Sequence, residues 1–123
     1  MRSQSIIDSF RYAFTGLWYV LRTQRNVRIH LSIALCVMIM GLWLKLSLSQ
    51  WAILALTVGF VLVSEVLNTV AETLVDLVSP GYHPLARVVK DVTAGAVLLT
   101  TIVSIIVGLL VLGPALWSAL TCG

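Results

Sequence analysis

The sequence predicts an all-α membrane protein in which an N-terminal amphipathic surface helix precedes three transmembrane helices. Three observations predict it. First, 59% of the 123 residues are hydrophobic and 11% are charged, against roughly 45–50% and about 25% in soluble domains. Mean hydropathy is +1.03. Second, the apolar residues gather into three runs of the length that crosses a bilayer core of roughly 30 Å. Third, five of the eight cations crowd into the first 28 residues: Arg2, Arg11, Arg22, Arg25 and Arg28, opposed there by Asp8 alone. Such a basic flank faces anionic lipid on the cytoplasmic side. Together these exclude a disordered tail, a collagen-like fibre, a disulfide scaffold and a soluble globular domain. A net charge of +3, unevenly spread, is too small for a nucleic-acid footprint. One domain spanning 1–123 is expected.

The surface helix is expected over 4–28. Ile6, Ile7, Phe10, Phe14, Leu17 and Leu21 recur at spacings of three and four, with arginines at the polar positions. A helix of this kind lies in the headgroup region with its apolar face down. No small-residue cleavage site follows a short apolar core, so a secretory signal is not expected. The first span is expected over about 29–45. Trp43 and Trp51 would then be interfacial aromatics bracketing a tight turn from Lys45 to Gln50, with Ser49 as the next N-cap.

The second helix is expected over about 50–78, roughly 42 Å long, so that its last turns leave the hydrocarbon core. Ser79-Pro80-Gly81 stops it. A short loop carrying Tyr82, His83, Pro84, Arg87 and Lys90 leads to a third span over about 91–112, ended by Gly113-Pro114 with Trp117 as an anchor. Lys and Arg concentrate in the N-terminal flank and the second loop, whereas the first loop has Lys45 and the C-terminus none. The N-terminus is therefore expected in the cytoplasm, in a multi-pass protein of the cell membrane. Cys36 and Cys122 show no metal-ligand or paired spacing.

The scarce charges carry the functional information. At about 100° per residue, Glu65, Asn68, Glu72 and Asp76 fall within a sector of about 80° on the second helix, bordered by Thr69. A carboxylate at membrane depth is costly. The deeper of two such acids, desolvated, suits a proton acceptor, and one nearer the surface suits Mg²⁺. Lys90 is expected at the N-terminus of the third span with Asp91 as N-cap, a place that favours a bound phosphate. A metal carboxylate, a phosphate-binding cation and a base are the parts of phosphoryl transfer. No Walker or kinase glycine-rich loop occurs. His30 reads as an interfacial anchor, and His83 as a loop histidine within possible reach of a nucleotide. Two rival classes fit the stripe alone: a small transporter or channel subunit with a carboxylate-lined ion path, and a non-catalytic subunit using polar glue. Neither needs the Lys90-Asp91 pair.

Glu65-Val-Leu-Asn68-Thr69-Val-Ala-Glu72-Thr-Leu-Val-Asp76, followed by Lys90-Asp91-Val-Thr-Ala-Gly-Ala-Val-Leu, resembles the signature of the small prokaryotic diacylglycerol kinase family. Ser9-Phe10-Arg11-Tyr12-Ala13-Phe14 and Arg25-Asn26-Val27-Arg28-Ile29-His30 extend the match over nearly the whole chain. The second of these segments resembles the undecaprenol kinase branch. The resemblance implies a homotrimeric helical bundle with sites shared between subunits. It implies Mg²⁺- and ATP-dependent phosphorylation of a membrane lipid alcohol, diacylglycerol or undecaprenol. It makes Glu65 the general base, Asn68 and Arg11 positioning residues, and Lys90, Asp91, Glu72 and Tyr12 nucleotide contacts. Glu72 would hold the metal. A second metal-binding glutamate usual in the family is replaced here by Gln24, which brings one oxygen and no charge.

Overall fold

The structure, a computed structural model, describes residues 5–122. Arg2 and the expected first residue of the surface helix, Gln4, lie outside the described residues, as does Gly123. The described chain is four helices without a strand: α1 (Ile6–Thr23), α2 (Arg25–Leu44), α3 (Leu48–Val78) and α4 (Pro84–Cys122). The last three are each long and apolar enough to cross a membrane.

The helix expected over 4–28 is two helices. Ser5 caps α1, its hydroxyl accepting from the Asp8 N–H at 3.2 Å. Extended backbone at Gln24 (φ −106°, ψ 110°) then breaks the chain before α2. Arg28 explains why the break is stable. Its Nη1 donates to the carbonyls of Leu21 at 3.1 Å and Arg22 at 2.8 Å, two of the groups a helix end leaves without partners. Residues 25–28 thus begin the first span instead of ending the surface helix.

The next corner is also tighter than expected. Ser47, not Ser49, is the N-cap of α3, in a reciprocal capping box with Gln50 that satisfies two backbone donors at once. Lys45 takes a left-handed conformation (φ 56°), and the Leu46 N–H reaches back to the Gly41 carbonyl at 3.3 Å. Trp51 is half-buried rather than free at the interface. Its ring lies on Gly41, where an added Cβ would come within 2.7 Å of Cη2. Leu46, Leu54 and Val111 form the buried core beside it.

α3 stops at Val78 as expected, Ser79 N–H closing the last turn onto Val75. α4 departs most from expectation. It starts at Pro84 rather than near Asp91 and runs through Gly113-Pro114 to Cys122. Proline at the first helical position gives up an N–H that would have no partner anyway. His83 caps the turn, its Nδ1 accepting from the Leu85 N–H at 3.1 Å. At Pro114 one intrahelical bond is lost, but ending the helix in apolar surroundings would strand several backbone groups. α3 and α4 make the most extensive helix pair, with α2 packed against α3. The core lies at the α3-start, α4-end side, and the acidic stripe at the opposite end.

Candidate active site

The stripe on α3 is graded by burial. Glu65 is 2% exposed, Asn68 and Glu72 are half-buried, and Asp76 is exposed. A bond across the α3–α4 seam places the deepest member: Ser64 Oγ and Thr100 Oγ1 lie 3.0 Å apart, fixing the register one residue before Glu65. Thr69 Oγ1 donates to the Glu65 carbonyl at 3.0 Å, which turns that hydroxyl inward along the helix. The Glu65 side chain meets α2. Its Oε1 is 3.1 Å from Nε2 of His30, close enough for an ion pair but without hydrogen-bond alignment, so Oε1 stays enclosed and unsatisfied.

One turn on, Asn68 Nδ2 donates to Glu72 Oε1 at 3.2 Å, while Asn68 Oδ1 is buried with no partner. A buried amide oxygen without a donor is a costly arrangement, and one that a bound group relieves. Among the described residues, no three His, Cys, Asp or Glu side chains cluster as a metal cage. One carboxylate oriented by an amide still fits Mg²⁺ that arrives on ATP. That ion keeps waters and phosphate oxygens and needs only one or two protein carboxylates.

Toward the end of the stripe, Lys90 Nζ donates to Asp76 Oδ1 at 2.9 Å, and Arg87 Nε lies 3.2 Å from Asp91 Oδ1. The expected roles of Lys90 as a helix-terminal cation and of Asp91 as N-cap are therefore corrected. Both lie nearly two turns inside α4, because the helix begins at Pro84. Lys90 can meet a phosphate as a side-chain cation, without help from free backbone N–H groups.

Arg11 and Tyr12 lie on α1. Arg11 pairs with Asp8 at 3.1 Å and sits 5.6 Å from the Tyr12 ring centroid. Gln24 occupies the α1–α2 break and makes no capping bond to α2. Among the described residues no hydrogen bond or ion pair joins Arg11, Tyr12 or Gln24 to the stripe. The fold thus brings together Glu65 with His30, Asn68 with Glu72, and Asp76 with Lys90. His30 is the member that sequence reasoning set aside as an interfacial anchor. Its place five residues into α2, close to the depth of Glu65 if the helices run side by side, was the available signal.

Relatives cover most of the chain. An undecaprenol kinase of Bacillus subtilis is 42% identical over 108 residues, 88% of this chain and 88% of that protein. A diacylglycerol kinase of Synechocystis is 45% identical over 115 residues, 93% of this chain and 66% of its own. The Escherichia coli diacylglycerol kinase is 29% identical over 101 residues, 82% of this chain and 83% of its own. These similarities favour the kinase alternative over an ion path. The sequence profile of prokaryotic diacylglycerol kinase matches residues 11–112, a stretch that holds the whole acidic stripe and the Lys90-Asp91 pair, and the chain belongs to that family.

Proposed function

We propose that this membrane protein is a lipid kinase that transfers the γ-phosphoryl group of ATP to the hydroxyl of a membrane lipid alcohol, undecaprenol or diacylglycerol. The observation that carries it is the graded stripe: a buried carboxylate at Glu65, an amide-oriented carboxylate at Glu72, and a cation at Lys90. Glu65 takes the proton of the lipid hydroxyl as its oxygen attacks the γ-phosphorus in line. Burial among apolar helices suits this step, because the substrate comes from the bilayer and water is kept from competing. Lys90 exchanges Asp76 for phosphate oxygens, and Asp91 contacts the nucleotide nearby. Asn68 holds Glu72 in place. Mg²⁺ carried by ATP would be held by Glu72, with Gln24 as a second oxygen donor, and would neutralise charge on the phosphates. Arg11 and Tyr12 on α1 help seat the lipid and the nucleotide at the interface.

The assembly we infer is a homotrimer with sites shared between subunits. An open surface supports this. The described chain exposes 9280 Å², against about 6,500 Å² for a compact protein of this mass. Phe10, Phe14, Leu56, Leu67 and Leu109 are among many large apolar side chains left uncovered. Lipid covers some of that surface and neighbouring subunits the rest. The N-terminus is cytoplasmic by the Lys/Arg count, with α1 lying on the inner face of the cell membrane.

The test is a side-by-side assay of the purified protein in mixed micelles with radiolabelled ATP and either undecaprenol or diacylglycerol. Label appearing in one or both lipids is the expected result, with undecaprenol favoured by the similarity in the Arg25–His30 segment. ATP hydrolysis without labelled lipid would contradict the proposal.

A further inference from the structure

His30 is a half-buried basic side chain that the phosphoryl-transfer scheme leaves without a task. It sits just inside the first span, 19% exposed at its side chain, with Nε2 3.1 Å from Oε1 of a Glu65 side chain that is 3% exposed. Among the described residues it is the basic side chain that reaches Glu65. Oε1 has no other donor, and a buried carboxylate oxygen without one is costly. The imidazole also borders a cavity of about 90 Å³ shared with Thr57, Val61, Ser104 and Gly108. His30 thus borders a gap that α3 and α4 also line.

We infer that His30 is a positioning residue for Glu65: its Nε2–H binds Oε1 and leaves Oε2 facing the lipid hydroxyl. The inference rests on Glu65 being the base. As the lipid oxygen bonds to the γ-phosphorus, its proton moves to Glu65 Oε2. The bond from that phosphorus to the bridging oxygen breaks, and its electron pair leaves with ADP. His30 keeps its proton throughout and fixes the rotamer of the acceptor. Hydrogen bonds of this kind commonly tighten only once substrate is in place, which fits a contact at the right distance but out of line.

The test uses the whole protein in mixed micelles and compares His30→Gln with His30→Met. Glutamine puts an amide N–H near the position of Nε2, whereas methionine fills the space without a donor. The expected result for His30→Met is a kcat lower by about 10–100-fold, the scale of a misplaced reacting group, with KM for MgATP and for lipid unchanged. His30→Gln keeps kcat within about threefold of the parent, because the hydrogen bond survives. Added to Glu65→Gln, His30→Met costs nothing further, as expected when one residue acts through the other. A His30→Met kcat equal to the parent overturns the inference. So does equal loss in both variants, or a full additional loss on top of Glu65→Gln. If Glu65→Gln itself turns over normally, the base assignment falls. If Glu65→Gln is inactive and His30→Met active, only the role of His30 falls.

Discussion

At the scale of single residues, the chemistry depends on how far each polar group is withdrawn from water. Glu65 is buried with His30 of α2 against it, Glu72 is half-buried and bonded to Asn68, and Asp76 is free enough to pair with Lys90. The same residue class thereby meets three environments on one helix face, which suits the three roles proposed for it. Gln24 stands at the α1–α2 break, where the family resemblance implies a metal-binding glutamate. If the proposed metal lies there, a neutral amide offers it one less negative charge, and a higher Mg²⁺ concentration is expected for half-maximal rate. Gln24→Glu is expected to lower that concentration at fixed ATP, read from a Mg²⁺ titration of initial rates. An unchanged titration would remove Gln24 from the metal's surroundings.

At the scale of elements, the corner between α2 and α3 leaves little room for a larger side chain. An alanine Cβ at Gly41 would lie 2.7 Å from Trp51 Cη2, 3.0 Å from Cζ2 and 3.1 Å from Leu46 Cδ1. The Trp51 ring packs into the Leu46, Leu54 and Val111 cluster and has little freedom to withdraw. Gly41→Ala is expected to destabilise by about 1–3 kcal/mol, the usual cost of overpacking. A lowered thermal midpoint in detergent checks it, and an unshifted midpoint would count against the packing. The spans and the acidic stripe were legible in the sequence because hydropathy and helical periodicity are local. The α1–α2 break was not, since it depends on Arg28 reaching back to Leu21 and Arg22. Hydropathy does not mark the start of α4, because Arg87, Lys90 and Asp91 interrupt the apolar residues of its first two turns. Pro84 after His83 was the missed cue. Pro114 reads as a stop in water, where freed carbonyls find solvent, but inside an apolar helix the chain continues through it. The His30–Glu65 contact needed the packing of α2 on α3, which no local pattern contains.

At the scale of the whole molecule, the described residues of one chain leave the proposed site in separate parts. Among them no hydrogen bond or ion pair joins Arg11, Tyr12 or Gln24 to the stripe, and no cage of three metal ligands forms. Large apolar faces also stand uncovered. The proposed trimer with shared sites would account for each of these. If sites are shared between subunits, co-assembly of Glu65→Gln chains with Arg11→Ala chains is expected to restore part of the turnover that each lacks alone. No restoration in mixed assemblies would mean that Arg11 serves the stripe of its own chain. Underlying all of these is the proposed role of Glu65 as the base in phosphoryl transfer to lipid. Lipid phosphorylation and MgATP binding measured together in Glu65→Gln decide it. The expected result is turnover lower by about 10²–10⁴-fold, the range of general-base catalysis, with MgATP affinity unchanged. Near-normal turnover in that variant would contradict the account.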